Sequence, residues 1–230
     1  MNYFFRYIGD NQTNLNINLI RVLVLFSVFF ATRWKNSKVL LKISLLGLIL
    51  LQLILFCWYA GNDKLFLIEG LPFYHCRIAA ISMAIFYFKN KNELAKYFAW
   101  LGIIGSIIAV SFPDPSRFLW PHVTNITYID THLLLVIAGI IIINFDTKLK
   151  LNNIIKITLT MNIIILFVNA MTGGNYGYLS HLPDNLDIEI NIWQLFLIMS
   201  FLLIVVINIL EKSQNKYNIK YKNNNAPIVY

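Results

Sequence analysis

Within Leu71-Pro72-Phe73-Tyr74-His75-Cys76-Arg77 the sequence sets a thiol beside a guanidinium near the start of an apolar stretch. Pro72 suits a first helical position, where its missing N–H costs nothing, and this puts Cys76 about one turn into the helix. The positive end of a helix and the Arg77 charge both favour a thiolate, so Cys76 is a candidate nucleophile. Its partner base would be His132, in Tyr128-Ile129-Asp130-Thr131-His132, ten residues after His122 in Trp120-Pro121-His122. An imidazole at the membrane edge would take the thiol proton and return it to a leaving group. Asp130 is badly placed to orient His132, because helical positions two apart point to different faces. A lone membrane histidine is also compatible with plain hydrogen-bonded packing.

Arg77 needs its own account. Burial near hydrocarbon costs several kcal/mol unless the side chain snorkels to the headgroups or meets an anion, and a lipid phosphate or Asp130 would serve. Cys57 lies at a depth similar to that of Cys76, so the two offer either a disulfide on the outer side or two free thiols. Thr158, Asn162 and Asn169 fall on one side of a later apolar stretch, as interhelical glue or as the lining of a polar cavity. Gly102, Gly105 and Ala109 form a small-residue face suited to close helix contact. The four histidines show no HxxxH, HExxH or CxxC spacing, and no phosphate-cradling glycine loop or serine elbow is present. Neither a metal nor a cofactor is expected.

The elements that must carry these groups are apolar stretches: Leu15 to Trp34, Val39 to Ala60, Leu71 to Phe88, Leu94 to Phe112, Ile129 to Phe145, Ile154 to Met171 and Ile190 to Leu210. At 1.5 Å per residue, helices of roughly 17 to 22 residues match a hydrocarbon layer of roughly 30 Å. With 58% hydrophobic and 13% charged residues, the expected class is an all-α, polytopic seven-helix bundle. The bundle is expected over residues 1–210, followed by a basic, Asn-rich cytoplasmic tail at 211–230. The N-terminus lacks the basic, apolar and small-residue order of a cleavable signal, so it is expected to stay with the protein.

Lysine and arginine set the orientation. Fourteen of the 19 fall at Arg33 to Lys42, Lys89 to Lys96, Lys148 to Lys156 and in the tail, which predicts N-out and C-in topology. Eight of the eleven acids, all four histidines and both cysteines then cluster toward the outer face. The chemistry is therefore expected there, although longer outer loops would also collect more residue types. The net charge of +8 follows from topology beside anionic lipid and does not indicate a nucleic-acid partner.

Three segments carry a family resemblance: Leu71 to Ala79; Pro121-His122 with His132 ten residues on; and Gly174-Asn175-Tyr176 followed by Leu179 and Pro183. Together they resemble the YwaF family of bacterial integral membrane proteins and, more distantly, the animal acyltransferase called transmembrane protein 164. The resemblance runs from the third stretch to the seventh, and its first motif is the most specific. It implies acyl transfer on lipid, with Cys76 and His132 at the positions of the cysteine and histidine associated with an acyl-thioester. Leu133, Gly177 and Leu182 depart from the family pattern.

Residues and resemblance together suggest a membrane-embedded acyltransferase or transacylase acting on phospholipid at the outer leaflet of a bacterial plasma membrane. Cys76 and His132 would be catalytic. Arg77 would hold the phosphate, with His122, Asn169, Asn175 and Tyr176 as further substrate-binding residues. The other expectation is a non-catalytic multi-pass protein, either a small-solute permease or a structural partner in a membrane complex.

Overall fold

In the computed structural model residues 3–182 and 190–224 are described, and among them there is no strand. Seven main helices follow the chain: α1 (Ile17–Arg33), α2 (Lys38–Tyr59), α3 (His75–Phe88), α4 (Asn92–Ser111), α5 (Val123–Ile143), α6 (Leu151–Thr172) and α7 (Ile192–Asn224). Each overlaps one of the expected apolar stretches, with ends shifted by one to six residues at most boundaries and by more at the end of α7. By length and composition α2, α4, α5, α6 and α7 can each cross a membrane alone. α1 has 17 residues and α3 has 14, so α3 reaches only about 21 Å. It is preceded by a short helical turn at Asp63–Leu65 that passes into a π-turn at Phe66–Gly70. This turn meets α3 at 78°, and the pair counts as one further broken span or as a re-entrant loop.

Local chemistry explains several helix ends. The side chains of Asn16 and Ser37 accept from Leu19 N–H and Leu40 N–H, filling donors that the first turns of α1 and α2 leave open. α6 ends on Gly173 at φ +71°, the left-handed geometry that stops a helix. The start of α3 differs from the expectation that Pro72 opens the helix. Leu71, ahead of proline, is extended at ψ 148°, Tyr74 is the N-cap, and the helix begins at His75.

The core lies between α4 and α5, where Tyr97, Leu101, Leu135, Ala138, Ile141 and Ile142 are almost wholly buried. α1, α2 and α7 present apolar side chains outward, including Phe26, Phe29, Leu46, Leu50, Leu197 and Phe201. Such a belt fits hydrocarbon, not water. The protein is thus a helical membrane protein with its closest packing at α4 and α5.

The two ends of the bundle are built differently. At the end carrying the loops 34–37, 89–91 and 144–150, Lys96 and Glu211 form a buried ion pair at 3.0 Å. Lys96 Nζ also donates to Thr147 O, and Trp100 Nε1 donates to Glu211 Oε2. α7 therefore continues through residue 211, where the polar tail was expected to begin, and Glu211 is an anchor in the bundle. At the other end the N-terminal segment crosses the helix tips. Trp58 Nε1 donates to Phe5 O, Tyr7 Oη to Trp58 O, and Leu119 N–H to Asp10 Oδ2. The thiols and imidazoles occupy this second end.

Candidate functional site at the thiol end

Cys76 is the second residue of α3, closer to the helix start than the sequence alone suggests. Its electrostatic neighbours are the Arg77 guanidinium and the backbone amides of Cys76 and Arg77, the unpaired donors that open any helix. The thiol is partly buried, and both it and Cys57 are free. That resolves the choice left open by spacing in favour of two thiols.

His132, in α5, is 4% exposed. Its Nδ1 lies 2.6 Å from Tyr128 O. A carbonyl can only accept, so Nδ1 carries a proton and donates, and in the neutral ring the lone pair is on Nε2. A backbone carbonyl one turn earlier therefore orients the ring, which is the task that Asp130 could not perform. The Tyr128 ring packs edge-on against it at 4.7 Å between centroids.

α4 explains how residues from separate helices reach one level. A Cβ added to Gly105 would lie 3.9 Å from Cys76 Cβ. Ser106, the next residue, donates to Gly102 O at 2.8 Å and lies 3.2 Å from His132 O. One turn deeper, a Cβ on Gly102 would meet Leu135 Cδ2 at 2.9 Å and Ala79 Cβ at 3.6 Å. The small-residue face thus sits in the seam between α3 and α5, with Cys76 and His132 above Ala79 and Leu135. The missing side chains at 102 and 105 allow that approach.

Arg77 is committed to partners within the protein. It is 5% exposed; Nη1 donates to Glu69 O at 3.0 Å and Leu71 O at 3.1 Å, Nη2 to Gly70 O at 2.9 Å, and Nε to Gln52 Oε1 at 3.1 Å. Four of its five N–H groups are thus committed. They satisfy carbonyls that the end of the π-turn leaves open, and they hold that turn beside the start of α3. Snorkelling and pairing with Asp130 do not describe this side chain.

The other residues marked for substrate contact also have protein partners. Asn169 brackets Tyr176, accepting from its N–H at 2.8 Å and donating to its carbonyl at 3.1 Å. Tyr176 Oη accepts from Leu71 N–H at 3.1 Å and donates to Leu67 O at 2.9 Å, pinning the loop after α6 to the π-turn. Asn175 Oδ1 accepts from Ser180 N–H and His181 N–H, and Nδ2 donates to His181 O. His122 caps α5: Nδ1 accepts from Thr124 N–H at 3.3 Å, and Nε2–H donates to Arg6 O at 3.0 Å. Its ring stacks on Phe118 at 3.8 Å, and burial holds the imidazole below the ordinary histidine range. These four shape the walls and loops around the seam.

The polar stripe of α6 is largely glue. Thr158 Oγ1 pairs with Tyr97 Oη at 2.8 Å, while Asn162 Oδ1 accepts from His75 Nε2–H at 3.0 Å and Nδ2 donates to Ser200 Oγ at 2.9 Å. Over the thiol end, Tyr178 Oη donates to Asp114 Oδ2 at 2.7 Å, tying the loop after α6 to the loop before α5. Burial and the Asp114 carboxylate raise the Tyr178 phenol above the usual tyrosine range. Pro183 of the third motif lies outside the described residues. Among the described residues no cluster of three potential metal ligands occurs.

Gln52, Thr131, Ser106 and Tyr128 are the contributors that residue type did not reveal. Only Gln52 carried a signal, as a lone amide in a run of leucine and isoleucine.

Among curated proteins and among solved structures nothing matches this chain. A family model does, that of the TMEM164 family, over residues 9–211.

Proposed function

Because the chain belongs to the TMEM164 family, we propose that it is a membrane acyltransferase or transacylase whose Cys76 carries an acyl group between lipids. The observation that carries this reading is that adjacent residues of α4, Gly105 and Ser106, meet the thiol residue Cys76 at a helix N-terminus and His132, whose Nδ1 is held by Tyr128 O. His132 Nε2 takes the Cys76 proton, and the sulfur attacks a phospholipid ester carbonyl. Collapse of the tetrahedral adduct breaks the acyl C–O bond, and the imidazolium protonates the departing alkoxide, giving a lysophospholipid and a thioester. In the second half His132 deprotonates an acceptor hydroxyl, which attacks the thioester. The C–S bond then breaks and the thiol is restored.

The first-turn amides of α3 would donate to the adduct oxygen. Arg77, Asn169, Asn175, Tyr176 and His122 serve this chemistry through the π-turn and the loop that they hold. A phospholipid acyl chain entering between helices from the outer leaflet fits the apolar flanks. The charge asymmetry and the motif at Leu71 to Ala79, similar to YwaF proteins, support a bacterial plasma membrane with the thiol end outward.

Acyl exchange between labelled phospholipid and lysophospholipid in proteoliposomes tests the reading. Exchange is expected for the wild-type chain and is expected to disappear in Cys76→Ala and His132→Ala. Exchange that survives both substitutions, or is absent from the wild-type chain, contradicts it.

A further inference from the structure

We propose that Gln52 is a positioning residue that sets the register of Cys76 against His132, an inference that rests on the acyl-transfer reading. Gln52 lies within α2, 5% exposed among leucine and isoleucine, where an uncommitted amide is unfavourable. Both ends of the amide are committed. Oε1 accepts from Arg77 Nε–H at 3.1 Å, and Nε2 donates to Thr131 Oγ1 at 3.3 Å. A guanidinium can only donate, so the oxygen must face Arg77 and the nitrogen must face Thr131. The two residues bridged are the one after Cys76 and the one before His132.

The bridge joins α3 to α5 through a third helix at the level of the pair. Below it, α3 and α5 meet the α4 stripe through Ala79, Gly102 and Leu135, apolar contacts that allow axial sliding. The Gln52 bonds have a preferred length and direction, so they fix what those contacts leave free. Arg77 is in turn tied to three carbonyls of the π-turn, so the register passes from the turn through Gln52 to α5. Among the described residues Gln52 bonds through its side chain to Arg77 and Thr131, not to the sulfur or the imidazole, and its effect is through those two residues.

The test follows the alkylation rate of Cys76 against pH in full-length protein carrying Cys57→Ser. His132→Ala removes the imidazole-dependent step from this profile. Gln52→Leu is expected to remove the same step and to slow alkylation near neutral pH by about tenfold to a hundredfold. Gln52→Glu, which still accepts from Arg77 and can accept the Thr131 hydroxyl proton, is expected to restore the parent profile. Should Gln52→Leu fail to fold, Thr131→Val breaks the bridge at its other end and is expected to weaken the step. A parent profile in Gln52→Leu or Thr131→Val, with the step lost in His132→Ala, overturns the positioning role and leaves the catalytic pair standing. An unchanged profile in His132→Ala overturns the pair itself.

Discussion

Arg77 donates to three successive carbonyls and to Gln52, work that one ammonium cannot repeat with the same geometry. Arg77→Lys is expected to lose about 2–4 kcal/mol of stability, read as a lower thermal unfolding temperature in detergent; an unchanged temperature would show that the clamp is dispensable. His122 makes a pH prediction. Burial lowers its pKa in the folded chain, so below about pH 6.5 the unfolded chain binds a proton that the folded one resists. Stability is full above that pH and falls as the pH drops toward the folded value. His122→Asn, which can still cap α5, is expected to show a smaller loss of thermal stability between about pH 7.5 and pH 5.5 than the parent; an equal loss would place the proton uptake elsewhere. Residue type singled out Cys76, His132 and Arg77, but it could not reveal partners that are backbone carbonyls. The orienting group of His132 is Tyr128 O, and the anchors of Tyr176 are the π-turn and Asn169. Polarity is visible in a sequence, whereas the acceptor it meets across the bundle is not.

The apolar stretches made the helices legible, since their length and composition follow from the backbone's need for internal hydrogen bonds. The start of α3 was not legible, because tertiary bonds decide it. Tyr176 Oη takes Leu71 N–H, and Arg77 takes the carbonyls of Glu69, Gly70 and Leu71. These contacts favour the bend over the local preference for helix from Pro72. The loop after α6 shows the same interplay. Gly177 has φ +65° in the structure, with a Cβ position 2.8 Å from His75 Cε1. Both strain and overlap oppose any side chain there, so Gly177→Ala is expected to cost about 1–3 kcal/mol and loosen the loop. Faster proteolysis between α6 and α7 would register this, and unchanged protection would contradict it. The small stripe of α4 was read from sequence as packing, and the packing it provides is the seam that levels Cys76 with His132.

Across the whole molecule the sequence asymmetry has a structural counterpart. One end is closed by the buried Lys96–Glu211 pair, and the other gathers the thiols, the imidazoles, the π-turn and two loops joined through Tyr178 and Asp114. The break between Asp63–Gly70 and His75–Phe88 lies at this second end, and irregular backbone at membrane depth is tolerated where protein buries it or a cavity meets it. This architecture suits a reaction at one interface better than passage through the midplane. The most direct measurement is intact-mass analysis of purified protein incubated with phospholipid, before and after hydroxylamine. The expected result is an acyl adduct on Cys76 that forms together with lysophospholipid, is removed by hydroxylamine and is absent from Cys76→Ala. A wild-type chain without such an adduct, or an adduct that persists in Cys76→Ala, would contradict it.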